Sequence, residues 1–201
     1  ASLVGSEMCI RDRLEAGQRG LREDAHEAHP EIPIEQVFLK LFEEKQITAD
    51  LTLAVHAGQF FRVMSTEYIR LYDGTEEMLK ALKQSGKKLY LLSNAQRIFT
   101  EYEMRALHIF HYFDGILISS EHGYKKPDLR FFEKLLDTYG ISRSTAIMVG
   151  NDGICDIKGA KAAGLSTLYI RSNISPEEEL PQADYRLERM DMDQVKQILL
   201  N

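Results

Sequence analysis

Cysteine is almost missing from this chain of 201 residues, where Cys9 and Cys155 are the only two. Two thiols cannot build a disulfide framework, and so low a usage is expected of a cytoplasmic protein in a reducing setting. Long apolar runs are missing as well. None approaches the roughly 18 residues of a membrane span, and no apolar stretch follows a basic flank at the N-terminus as in a secretory signal. An excess of base is also lacking. Lys and Arg number 25 against 31 Asp and Glu, a net charge of −6, which argues against nucleic acid or an anionic membrane surface as a partner. Internal repeats and low-complexity tracts are absent. What is present is a composition of 44% hydrophobic and 28% charged residues, that of an ordinary soluble domain. At about 150 residues per domain the length suggests one domain with room for an insertion. A small-molecule enzyme or binding domain is left standing.

The texture changes near Tyr72. Before it the spacing is helical: Ile34, Val37, Phe38, Leu41 and Phe42 fall at i, i+3, i+4, i+7 and i+8, one apolar stripe. Phe60, Phe61, Met64 and Tyr68 repeat the pattern, and Phe60, Phe61 and Tyr68 are expected in the core of this helical module. Pro30 and Pro33 punctuate its entry. From Asp73 onward strands alternate with helices. A helix carrying Met78, Leu79 and Leu82 is predicted to run from about Thr75 to Ser85 and stop at Gly86. Short apolar runs at 88–93, 113–119, 145–149 and 166–170 read as strands, with helices beginning near Ala95, Asp128 and Asp156. Asp128 suits an N-cap and Gly140 the position just past that helix's end. Repeated strand–helix units demand a parallel sheet with helices on both faces, a doubly wound α/β fold. Right-handed crossovers then place the loops that follow strands along one edge, where such sheets bind ligands.

Three clusters fall at that edge. Ser93-Asn94 puts a hydroxyl and an amide at a strand's carboxyl end before a helix, whose free N–H groups suit an oxyanion such as phosphate; the plainer use of either residue is as N-cap. Lys125-Lys126-Pro127-Asp128 sets a lysine just before a helix, able to neutralise a phosphoryl group or a carboxylate, or else is a solvated basic turn. Gly150-Asn151-Asp152-Gly153-Ile154-Cys155-Asp156 follows a buried strand with acceptor oxygens at positions 151, 152 and 156, the hard donors that Mg²⁺ prefers; a turn with Asp156 as N-cap is the alternative. In this order the three are mutually consistent.

Together they make the chain resemble the haloacid dehalogenase-like (HAD) hydrolase superfamily, in the group with a helical cap. Ser93-Asn94 resembles that family's second motif, Lys126 with its Pro-Asp continuation the third, and Gly150-Asn151-Asp152 through Asp156-Ile157 the fourth. The likeness covers about residues 20–201. It implies a Rossmann-like core over 72–201 with a small all-helical cap over 14–71. It also implies Mg²⁺-dependent phosphoryl transfer to an aspartate followed by hydrolysis, on a small phosphorylated metabolite. On that resemblance Ser93 and Asn94 hold phosphoryl oxygens, Lys126 bridges nucleophile and phosphate, and Asn151, Asp152 and Asp156 serve the metal. Asn151 stands where many members have Asp, so either it or Asp152 faces the cation.

The family's first motif, an apolar strand ending in Asp-x-Asp-x-Thr or Val, is not found ahead of the helical module. Covalent catalysis needs its nucleophile, and the leaving oxygen needs its proton donor. The only Asp-x-Asp is Asp191-Met-Asp193, preceded by no buried apolar run; Val195, Ile198 and Leu199 after it are helically spaced, so Asp191 reads as an N-cap. Residues 1–13 resemble the conceptual translation of a sequencing-adapter fragment, and are expected to be non-native, with the authentic first strand lost. That strand's burial would contribute on the order of 10 kcal/mol, at roughly 1.5–3 for each aliphatic side chain. Its loss predicts poor folding, open strand edges and no turnover. Alternatively residues 3–10, apolar at Leu3-Val4 and Met8-Cys9-Ile10, thread into the gap. Other readings are 2-haloacid dehalogenation, and a phosphate-binding protein without catalysis. The pairs His108/His111 and His26/His29 lack a third ligand and read as ordinary residues. Cys155 has no base paired with it in the sequence.

Overall fold

The computed structural model describes residues 3–19, 27–176 and 182–201; His26 lies outside them. The chain divides into two compact units. The first takes in 1–69, 93–106 and 118–125, and the second 70–92, 107–117 and 126–201.

The first unit is helical. Helix α1 (Leu3–Arg19) packs on α2 (Ile34–Glu44), and α2 on α3 (Leu51–Ser65). The predicted stripe of α2 is its buried face: Ile34, Val37, Phe38 and Leu41 are all enclosed, with Ile32 and Ala54. Helix α1 adds Ile10 and Leu14 to the same core, four residues apart as a helix requires. Residues 3–10 are therefore helix and not a strand. Asp50 caps α3 by accepting from the Leu53 N–H at 2.8 Å.

On α3 the expected core differs from the observed one. Phe61 packs with its ring 5.7 Å from that of Phe38, but Phe60, Met64 and Tyr68 are 68%, 70% and 70% exposed. The buried line of this helix runs through Ala54, Gly58 and Phe61, with helical steps of four and three. Its two most buried positions, Ala54 and Gly58, are small residues, which a search for large apolar ones passes over. A Cβ on Gly58 would stand 3.1 Å from Ile98 Cδ1. Tyr68 lies beyond the end of the helix at Ser65. Helix α5 (Arg97–Ala106) completes the unit, adding Ile98 and Phe99 to the core.

The second unit is α/β, as the strand–helix alternation predicts. Its elements are α4 (Thr75–Gln84), β1 (Tyr90–Ser93), β2 (Gly115–Ile118), α6 (Leu129–Tyr139), β3 (Ile147–Gly150), α7 (Gly159–Ala162), β4 (Ser166–Ile170), β5 (Tyr185–Leu187) and α8 (Met192–Leu200). Ser93 and Ile118, the last residues of β1 and β2, fall in the first unit. β3, β4 and β5 form a parallel ladder with Val149 opposite Leu168 and Leu168 opposite Tyr185. β1 and β2 form a second ladder, and among the described residues no ladder joins β1 to β3. Helices α4 and α8 bury Met78, Leu79, Leu82, Met192 and Val195 with Leu168, Ile170 and Leu187.

Helix ends follow their sequence signals. Asp128 caps α6 by accepting from the Arg130 N–H, and Gly140 ends it at φ 61°, a left-handed conformation that glycine adopts without a Cβ penalty. Asp191 caps α8 through the Gln194 N–H at 3.0 Å, so the late Asp-x-Asp is a helix start. β5 was not expected: only Leu187 of its three residues is buried, and its strand character comes from pairing with β4. No described helix is long and apolar enough to cross a membrane.

Candidate active site

In the second unit the second and third sequence clusters meet. Lys126 precedes α6, and its side chain is drawn inward until it is 8% exposed, like that of Asp156. Its ammonium donates to Asp156 Oδ1 at 2.7 Å and to the Leu92 carbonyl of β1 at 2.8 Å. The other carboxylate oxygen, Asp156 Oδ2, accepts the backbone N–H groups of Asn151 and Asp152, both at 3.0 Å. A buried ammonium and a buried carboxylate are each costly alone and tolerable as a hydrogen-bonded pair. The basic turn therefore contains one solvent-excluded lysine, and the acidic loop is wound around one carboxylate.

Backbone geometry makes room for this. A Cβ on Gly150 would collide with the Asp156 carboxylate, so β3 must end in glycine for the loop to close. The helical turn that follows, Gly153–Lys158, is π-wound, and its N-cap is Asp152, whose Oδ1 accepts from Ile154 and Cys155 at 2.9 and 2.6 Å. The cap is thus Asp152 and not Asp156, which lies inside the turn. The Asn151 amide nitrogen donates to Ser172 Oγ at 3.1 Å. Burial together with the nearby Asp152 and Asp156 carboxylates pushes the Cys155 thiol up to about 11. That environment keeps it protonated and unreactive at neutral pH.

Ser93 and Asn94 belong to the first unit, at the end of β1 and ahead of α5. The amides that open this helix turn to side chains the sequence did not single out: the Ala95 N–H donates to Ser119 Oγ at 3.1 Å and the Arg97 N–H to Ser120 Oγ at 3.0 Å. Ser119 in turn donates to Glu31 Oε2 at 2.8 Å, while Glu31 Oε1 accepts from Gln96 Nε2 at 3.0 Å. Glu31 is 7% exposed. Burial raises its carboxyl above the usual range, outweighing the Ser119 hydroxyl and the Lys125 charge. Segment 29–31 is also stitched to 123–125 by the Glu31 N–H to Gly123 and the Lys125 N–H to His29. A pocket of about 410 Å³ opens beside this network, lined by Asn94, Gln96, Glu31 and Lys125 with Arg11, Asp12 and Glu15. The signal that could have found Ser119 and Ser120 is a pair of small hydroxyl residues directly after a strand; nothing local marks Glu31.

Among the described residues no group of three or more His, Cys, Asp or Glu side chains is placed to hold a metal ion. An all-protein cage is not what Mg²⁺ needs. It is usually held by one or two carboxylates with water and substrate oxygens. Asn151, Asp152 and Asp156 supply two carboxylates and an amide oxygen within one loop, a set that fits the ion in donor type, with Asp156 already engaged by Lys126 and two backbone N–H groups.

Residues 10–170 match the family described as haloacid dehalogenase-like hydrolase. Glyceraldehyde 3-phosphate phosphatase from Methanothermobacter thermautotrophicus is 32% identical over 136 residues, 68% of this chain and 58% of that protein. Phosphoserine phosphatase from Thermus thermophilus is 31% identical over 117 residues, 58% of this chain and 47% of that protein. The chain thus spans about half to three-fifths of the length of these curated relatives. Among solved structures, a 2-haloacid dehalogenase from Pseudomonas syringae has a TM-score of 0.68 at 22% identity, over 99% of this chain and 81% of the other. The HAD-hydrolase YfnB from Bacillus subtilis, described as putative and bound to magnesium, has a TM-score of 0.62 at 22% identity, over 98% and 80%. At that identity the likeness shows the fold.

Proposed function

The chain belongs to the haloacid dehalogenase-like hydrolase family, and on that premise we propose that its site serves Mg²⁺-dependent hydrolysis of a small phosphorylated metabolite through an aspartyl-phosphate. The observation that carries this reading is the buried Lys126–Asp156 pair with the Asn151 and Asp152 amides folded onto its carboxylate. Such a centre has little use as a surface turn, and it gathers a cation and several oxygen donors in one enclosed place. Two relatives are named for phosphatases of glyceraldehyde 3-phosphate and of phosphoserine. Both are small phosphate monoesters, and that is the substrate class proposed.

In this reading Ser93 and Asn94 hold phosphoryl oxygens, and Lys126 offsets phosphoryl charge while fixing Asp156. Asn151, Asp152 and Asp156 would hold Mg²⁺. When bound, the ion would supply electrostatic stabilisation of the phosphoryl oxygens. Among the 201 residues no apolar strand run ends in Asp-x-Asp, so this chain by itself is proposed to bind phosphate and Mg²⁺ without turnover.

A phosphate-ester panel with and without Mg²⁺, run beside equilibrium binding of inorganic phosphate, tests both halves. Binding without hydrolysis is expected. Hydrolysis by this chain would remove the inactivity claim, and absence of phosphate binding would remove the site. Sequencing the genomic DNA upstream of the Leu14 codon separates the enzyme from its rival. An apolar strand ending in Asp-x-Asp favours the hydrolase, whereas DNA encoding residues 1–13 favours a phosphate-binding protein without catalysis.

A further inference from the structure

We propose that Ser172, in the loop after β4, is the positioning residue that makes Asn151 usable as an oxygen donor. This inference rests on the metal-binding reading above. A carboxylate presents the same oxygen whichever way it is turned. A carboxamide does not, since one end donates and only the other accepts. An asparagine that is to face a cation therefore needs a partner that selects its orientation.

Ser172 provides one. Asn151 Nδ2 donates to Ser172 Oγ at 3.1 Å, and the Ile174 N–H approaches the same oxygen at 3.3 Å. A hydroxyl oxygen has two acceptor sites and one proton. With these two donors on it, its proton has Ser175 Oγ within reach at 3.2 Å. Ser175 is itself pinned, because its Oγ accepts the Ser172 N–H at 2.9 Å and its N–H returns to the Ser172 carbonyl at 3.2 Å. The loop thus closes on itself and holds Ser172 Oγ in place beside the Asn151 amide nitrogen. The amide nitrogen is held on the Ser172 side, and Oδ1 is turned away from it. Asp152 spends Oδ1 on capping the next turn, which leaves the orientation of Asn151 as the adjustable element of the loop.

The experiment is Mn²⁺ binding to the full chain by electron paramagnetic resonance, which needs no turnover. Ser172→Ala is expected to weaken Mn²⁺ binding by about tenfold or more, the usual consequence of removing an outer partner of a ligand. Ser172→Thr keeps the hydroxyl and is expected to keep the affinity. In an Asn151→Asp background the orientation problem vanishes, so adding Ser172→Ala there should change affinity by less than about threefold. A serine that merely stabilised the loop would weaken both backgrounds alike and lower the melting temperature in each. Equal losses in the two backgrounds, or no loss in either, would overturn the proposal. If the unchanged chain binds no Mn²⁺, the metal reading itself fails and this inference goes with it.

Discussion

Replacing Lys126 by methionine keeps most of the side chain's length and removes its charge and donors. In the folded chain that ammonium serves two acceptors, Asp156 Oδ1 at 2.7 Å and the Leu92 carbonyl at 2.8 Å, from a position 8% exposed. Removing one partner of a buried pair costs about 3–5 kcal/mol, because the other charge stays buried without compensation. Here Asp156 Oδ2 keeps its two backbone donors, which places the expected loss near the lower end, about 3 kcal/mol. Whole-domain stability is only about 5–15 kcal/mol, so the shift should be large in urea unfolding followed by circular dichroism at neutral pH. Asp156→Asn and the double variant complete a cycle. The double variant should lose at least about 1 kcal/mol less than the sum of the single losses, since each single change strands the other's partner. Strict additivity, or a Lys126→Met loss below about 1 kcal/mol, would refute the claim that these groups are coupled and enclosed.

Two further outcomes follow from the ionisable groups. The Glu31 carboxyl is raised above 4.5 by burial, so its contribution to stability is fully present below that pH and is lost as the pH climbs through the raised value. Glu31→Gln should therefore gain thermal stability relative to the unchanged chain between pH 4.5 and neutrality; a difference that stays flat across melting curves in that range would contradict the burial argument. The Cys155 thiol, pushed up to about 11, is only about one part in a thousand thiolate at pH 8. Iodoacetamide at that pH should modify exposed Cys9 well before Cys155, and equal rates by mass spectrometry would show that the acidic loop does not shield the thiol.

Legibility from sequence tracked the distance over which each residue acts. The cap at Asp128, the stop at Gly140 and the start at Asp191 depend on neighbours within a turn, and their signals are local. The α2 stripe was equally plain, because 3.6-residue spacing and large side chains report the same face. On α3 that logic misled. The buried line there uses Ala54 and Gly58, whose value lies in letting helices approach. β5 carries no pattern of its own, and Glu31 finds Ser119 across 88 positions, beyond any spacing rule. Within the acidic loop the residue types were readable but not their division of labour. Asp152 and Asp156 look interchangeable in sequence, yet one caps a turn and the other anchors a lysine.

The way the chain is shared between its two units bears on how it can be taken apart. Each unit draws on three separate stretches, with changes of unit at 69/70, 92/93, 106/107, 117/118 and 125/126. No single cut delivers either unit as a contiguous piece. A truncation ending at residue 69 would leave the helical unit without α5 and without the hydroxyls that receive its opening amides. A break anywhere between residues 70 and 125 therefore takes a stretch from both units, and within that span only point substitutions can assign a property to one of them. Folding meets the same constraint. The Glu31 network and the Tyr72–Asn173 contact, 101 positions apart, close only when distant stretches are already in place, so the chain should assemble late and cooperatively rather than from its N-terminus onward.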